Sequence, residues 1–347
     1  MVESIEVINF SNDSKPLLLV LRDPENENTS QGFAVTSVTG LGPGKATVNS
    51  SELVTIDGAE FINARLPKRT IKIDLRLLPI TYEKNGKIID ESVADIRRKS
   101  YRYFPIKEKV KLIFNNIEYR RDPNHKYRSI PEQKSYYIEG IVEQNEPNIW
   151  SKEESSTIQI VCMDPYFKDV NTQKKSFNDV IPRFHYESYV IDSEGKTPLY
   201  PGWVDPDMDL HPDSSTDNSF MVSERLIREY LVMNNISYVK SGGIFTIVAN
   251  NTVERPAIFN RTTDQILTLN MTLYKGDRVV IDTRKGYKSA TLKHGFGIDI
   301  INKIDIATSQ WIEFQPGENV IGFTCDIPTQ RNNLDVSVEI RPLYAGI

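Results

Sequence analysis

A period of two in hydrophobicity, interrupted at short intervals by turn residues, constrains this chain more than any other feature of its sequence. Ile71-Lys-Ile-Asp-Leu-Arg-Leu77 alternates apolar and polar residues, as a half-buried strand requires. The same period runs less cleanly through Tyr137–Glu143, and again through Thr157–Cys162. In Ile266–Leu273 it sets Leu267, Leu269, Met271 and Leu273 on one face, and in Leu334–Arg341 it points Leu334, Val336, Val338 and Ile340 inward. Lys84-Asn-Gly-Lys87, Tyr274-Lys-Gly-Asp277, Arg284-Lys-Gly286 and Pro316-Gly317 supply the punctuation. Asn85-Gly86 suits a two-residue hairpin because both central positions tolerate positive φ. Strands and turns at this spacing predict a mainly β protein, sandwich or barrel, rather than alternating β/α units.

Two segments depart from the pattern. Asp90–Phe104 sets Val93, Ile96, Ser100 and Phe104 on one helical face, with acids at its start, bases at its end and Pro105 to stop it. Val222–Glu229 reads as a weaker helix or equally as an extended lead-in to the strand Tyr230–Met233.

The chain has 347 residues, long for one core, so two domains are expected: 1–168, and 169–347 with a loop insertion around 186–218. That insertion is turn-rich and acidic, net −7, whereas residues 97–128 carry net +8. A loop so long inside a compact domain is usually an interaction element. The hydrophobic fraction of 39% and charged fraction of 26% describe a folded chain without wholesale disorder. No apolar run reaches membrane-spanning length, and MVESIEVINF lacks the basic end and cleavage site of a secretory leader. Cys162 and Cys325 lie in apolar strand-like runs and read as buried thiols from a reducing compartment. Trp150 and Trp311, at strand starts, are expected in the core.

Motifs that carry chemistry are weak. Gly40-Leu-Gly-Pro-Gly-Lys45 has one residue too few for a phosphate loop and Ala46 where Ser or Thr would hold magnesium, so a turn between strands is expected. Asp205-Pro-Asp-Met-Asp209 begins like a calcium loop, but Leu210 and Thr216 replace the required glycine and glutamate. The histidines at 125, 185, 211 and 294 never reach metal-ligand spacing, and neither cysteine sits in a catalytic motif. No catalytic residue, cofactor or metal is expected. Tyr200 and Trp203, aromatic residues among carboxylates, are the candidate ligand or partner contacts. Arg98 and Lys99, off the helix's apolar face, are the candidate contacts between subunits.

In this order the chain resembles the distal tail protein family of long-tailed bacteriophages and prophages. The segments that carry the likeness are Gly58–Leu75, the helix Asp95–Phe104 with the strand Val110–Phe114, Tyr136–Gly140 through Cys162-Met-Asp-Pro-Tyr-Phe167, and Leu267–Asp277. The insertion at 186–218 departs from it. The resemblance implies an N-terminal β-sandwich or split-barrel ring domain with one helix, and a C-terminal galectin-like β-sandwich. It also implies a structural virion protein of the tail tip. Such a protein forms a homohexameric ring between the tail tube and the baseplate hub and receptor-binding proteins, and DNA passes through its lumen without specific binding. It would assemble in the host cytoplasm, without membrane insertion. A carbohydrate- or receptor-binding module of the tail is the competing expectation.

Overall fold

The computed structural model describes residues 2–10, 16–21, 31–52, 57–84, 86–121, 129–187, 219–294 and 296–347. In the first half the strands are β1 (Val2–Asn9), β2 (Leu17–Val20), β3 (Phe33–Thr39), β4 (Thr47–Glu52), β5 (Ala59–Arg65), β6 (Arg69–Leu77), β7 (Ile80–Lys84), β8 (Lys87–Glu91), β9 (Lys109–Arg121), β10 (Ser129–Asn148), β11 (Ser155–Cys162) and β12 (Phe167–Asp169). A single α-helix, α1 (Val93–Tyr103), stands between β8 and β9. There follow β13 (Gln173–Ser176), β14 (Asn178–Glu187), β15 (Ser219–Ile227), β16 (Tyr230–Asn235), β17 (Gly243–Ala249), β18 (Val253–Glu254), β19 (Ala257–Asn260) and β20 (Gln265–Thr268). The last are β21 (Thr272–Leu273), β22 (Arg278–Asp282), β23 (Ser289–His294), β24 (Phe296–Asp299), β25 (Gly317–Thr324), β26 (Leu334–Ile340) and β27 (Leu343–Tyr344).

The first sheet runs β2-β1-β9-β10-β11-β6-β3, antiparallel throughout. Its two ends, β2 and β3, lie against each other, so the sheet curls into a split barrel. The period of two decides what faces in: Ile71, Ile73 and Leu75 of β6 are fully buried with Ile158 and Ile160 of the neighbouring β11. Ile96 and Phe104 from the helix complete that core. Burying such side chains stabilises the fold by about 1.5–3 kcal/mol each relative to exposure.

A second core lies between two sheets, β13-β26-β17-β22-β23-β24 and β16-β25-β19-β20. Phe245, Ile247, Val336 and Val338 from one face meet Met233, Ile258, Leu267 and Ile321 from the other. All four predicted inward residues of β26 are buried. Phe167 belongs to the first core and Phe177 to the second. The chain then returns: β27 pairs with β12, so residues near the C-terminal end close onto the first sheet.

Three readings of the sequence change, and one left open is decided. Val222–Glu229 is not helical; it lies in and just after β15, whose backbone groups pair with β14 from Asn178↔Ile227 to Glu187↔Ser219. Residues 186 and 187 therefore belong to a strand, and the rest of the acidic insertion, 188–218, lies outside the described residues. The run Ile266–Leu273 is split between β20 and β21, which belong to different sheets, although Leu267, Leu269 and Leu273 are buried as expected. Trp150 is 93% exposed, because the β10–β11 ladder closes at Asn148↔Ser155 and leaves it in the connecting turn. Trp311, partly buried against the second core, is nearer to expectation.

Candidate assembly surface

The helix begins with a capping box. The Asp95 amide donates to Ser92 Oγ at 3.3 Å, and the Ser92 amide donates to Asp95 Oδ2 at 3.1 Å. The Ser92 hydroxyl, donating to Asp95 Oδ2 at 2.7 Å, and after it the Ser92 amide hold the Asp95 carboxyl below the ordinary carboxylate range. At the far end Asn145 Nδ2 donates to the carbonyls of Ser100 (3.2 Å) and Phe104 (3.1 Å), satisfying acceptors a helix terminus leaves open. Asn145 Oδ1 accepts from Ser100 and Ser156, so this buried amide is fully used.

The predicted basic pair divides in two. Lys99 forms an ion pair with Glu91 of the same chain and is largely covered. Arg98 is 75% exposed, its Nη1 2.8 Å from Asp95 Oδ1. Arg97 bridges to Glu154 at 3.3 Å. Arg98, Tyr101 and Arg102, spaced i, i+3 and i+4, form the outer face of α1, continued by the exposed Ile106 and Lys107.

A second feature was invisible to sequence reasoning. β4 and β5 form a two-stranded ribbon in which all thirteen residues are exposed. A register shift between Asn49 and Ser50 makes Ile62 an extra residue opposite the β4 strand. On either side, Val48 pairs with Ala64 and Ser50 with Phe61, so Val48, Ala64, Phe61 and Ala59 share one face. Asn49 Nδ2 donates to Asn63 Oδ1 (2.7 Å) on the other. The ribbon is amphipathic, yet no second layer covers it.

Arg69 knots the ribbon's root to the rest of the molecule. Its Nε donates to the Pro165 carbonyl (2.7 Å) and its Nη1 to the carbonyls of Gly40 (2.6 Å) and Gly42 (2.7 Å). Nη2 donates to the Ala345 carbonyl near the end of the chain. The guanidinium also stands 4.7 Å from the Phe167 ring centroid. Burial pushes its pKa down, and four carbonyl acceptors compensate the lost hydration. The Gly40–Lys45 segment is thus a turn between strands as expected. It offers carbonyls to an arginine, whereas a phosphate cradle needs amides turned to an anion. The open cleft beside it, about 430 Å³, is bordered by Lys45, Leu66 and Lys68.

A cation–aromatic cluster joins the two cores. Lys111 Nζ lies 4.2 Å from the Tyr137 ring centroid, and Arg341 Nη1 donates to the Tyr137 hydroxyl. Lys168 and Arg284 face the Tyr287 ring at 5.8 and 5.1 Å. Tyr200 and Trp203 lie outside the described residues. Among the described residues no group of His, Cys, Asp and Glu is placed to hold a metal ion, and no helix is long and apolar enough to cross a membrane.

A curled sheet carrying one helix and a bare ribbon, joined to a β-sandwich by buried polar ties, defines a β-rich protein with uncovered apolar and basic surfaces. Residues 238–341 match the family model of the siphovirus-type tail component, C-terminal domain. The crystal structure of Dit from phage SPP1, described as a paradigm of the hub adsorption apparatus in phages infecting Gram-positive bacteria, has the same fold. It superposes with a TM-score of 0.55 at 11% identity, covering 98% of each chain. Two structures of the phage p2 baseplate in its activated conformation, with calcium and with strontium, are looser matches. Their TM-scores are 0.42 and 0.39 at 10% and 9% identity, covering 98% and 97% of each chain, below the level at which a shared fold is read. No curated protein matches by sequence. Residues 238–341 thus match a siphovirus-type tail-component domain, and the chain as a whole has the fold of SPP1 Dit.

Proposed function

We propose that this chain forms the hub ring of the tail tip. Six copies close a ring through residues 1–168, joining the tail tube to the baseplate hub and receptor-binding proteins around a channel for DNA. Residues 169–347 form the outward-projecting galectin-like domain. The role is structural, without catalysis. The observation that carries this reading is the match of residues 238–341 to the tail-component domain within a chain that has the Dit fold throughout. A closed ring suits a curled sheet that cannot cover all its own surface, because a rotational assembly repeats one contact around the ring. The net +8 of residues 97–128 belongs on surfaces that meet protein, since cations lining the channel would retard a polyanion. Sedimentation velocity or native mass spectrometry of the full chain should give six times the 39.7 kDa chain mass. A monomer or dimer at every concentration tested would overturn the ring.

A further inference from the structure

Resting on that ring, we infer that its subunit contact is made by the β4–β5 ribbon of one copy seated on the outer face of α1 in the next. An isolated two-stranded ribbon is marginal in water, and this one exposes Val48 at 59% and Phe61 at 64% on a single face. That face calls for a cover. Beside it the ribbon carries Glu52 and, just before β5, Asp57, while Glu60 and the sole cation, Arg65, lie on the Asn49/Asn63 face.

The helix surface is its counterpart in chemistry. Tyr101 (45% exposed) and Ile106 (54%) offer an apolar centre. Arg98, Arg102 and Lys107 flank it, all exposed. Of the neighbouring acids, Asp95 is held by Ser92 and Arg98, and Glu108 is already partnered. Arg98 stays largely exposed despite its pairing with Asp95, whereas Lys99, paired with Glu91, is largely covered and takes no part.

Charge also selects the symmetry. Ribbon against ribbon, as in a two-fold dimer, would set Glu52 and Asp57 against their own copies. Ribbon against helix joins two different patches of one chain, the heterologous contact that generates rings. Opposed charge would align the two surfaces, and the apolar stripe would hold them once water is expelled.

Charge exchange tests this in the full-length protein. Glu52→Lys/Asp57→Lys and, separately, Arg98→Glu/Arg102→Glu should each reduce the ring to monomer at a concentration where wild type is fully assembled. The variant carrying both sets should recover the ring mass. Phe61→Ser, a surface change that leaves the monomer's melting temperature unaltered, should also lose the ring. Ring mass retained by both reversal variants would overturn the ribbon–helix contact while leaving the ring itself standing. Failure of the combined variant to reassemble would overturn it as well, since the two surfaces would not then be partners. A monomeric wild type would overturn ring and contact together.

Discussion

Asp74 sits on β6 where three strands meet, and its carboxylate is their common acceptor. Ser37 of β3 donates at 2.6 Å and Thr157 of β11 at 2.8 Å, with Lys72 Nζ 3.6 Å away. The Ser37 hydrogen bond is the main reason its folded pKa lies below the ordinary value. A carboxyl whose pKa falls on folding stabilises the native state above its unfolded pKa, about 4, and loses that contribution as pH drops through the lower folded value. Asp74→Asn should therefore cost about 1 kcal/mol at pH 7, read by thermal or urea unfolding. The deficit should shrink as pH falls through that lowered folded value, below which wild type is also neutral. A deficit independent of pH would assign the effect to packing. The polar position of Asp74 in an alternating run was plain from the sequence, but its two hydroxyl donors lie 37 and 83 residues away in the chain. Cys162 tells the opposite story: an apolar neighbourhood was enough to read it as buried, and burial pushes its thiol up to about 12.

Among the elements, β6 was the most legible and the ribbon the least. Alternation places Leu75 inward, and it is fully buried between strands β3 and β11. Leu75→Asp should leave no soluble folded protein, because an unpaired buried carboxylate costs several kcal/mol against a domain stability of about 5–15 kcal/mol. Wild-type expression and melting in that variant would show the inward face to be misread. The helix was equally open to reading, through its apolar spacing and Pro105, since both are local signals. The hairpin β7–β8 follows Asn85-Gly86 as predicted, with Lys84 opposite Lys87 and Gly86 at φ 74°. β15 is open in the sequence between helix and extended chain because apolar spacing over eight residues fits both, and a pairing partner on β14 decides for the extended form. The ribbon is amphipathic in the same way as a sheet strand; nothing local says that its second layer is missing.

At the scale of the molecule, Arg69 and the returning β27 make the two cores mechanically dependent. Arg69→Met should keep both cores, yet free the Gly40–Gly44 turn and residues 343–347. Hydrogen–deuterium exchange should then rise at the Ile347 amide, which donates to the Leu41 carbonyl at 3.1 Å, and in the ribbon whose root the turn holds. Exchange raised equally across β17 and β26 would mean global destabilisation instead. The contacts of Arg69 reach from residue 40 to residue 345, and no periodicity or motif records a bond across such a separation. By itself the sequence determined the β class, the helix α1, the inward faces of the long strands and the buried thiols, because side-chain alternation, capping and turn chemistry act within a few residues. Only the tertiary structure decided the split sheet order, the fate of Trp150 and β15, the bare ribbon and the Arg69 knot. Each of these depends on whether a distant segment arrives to pair with a backbone, cover an apolar face or accept a hydrogen bond.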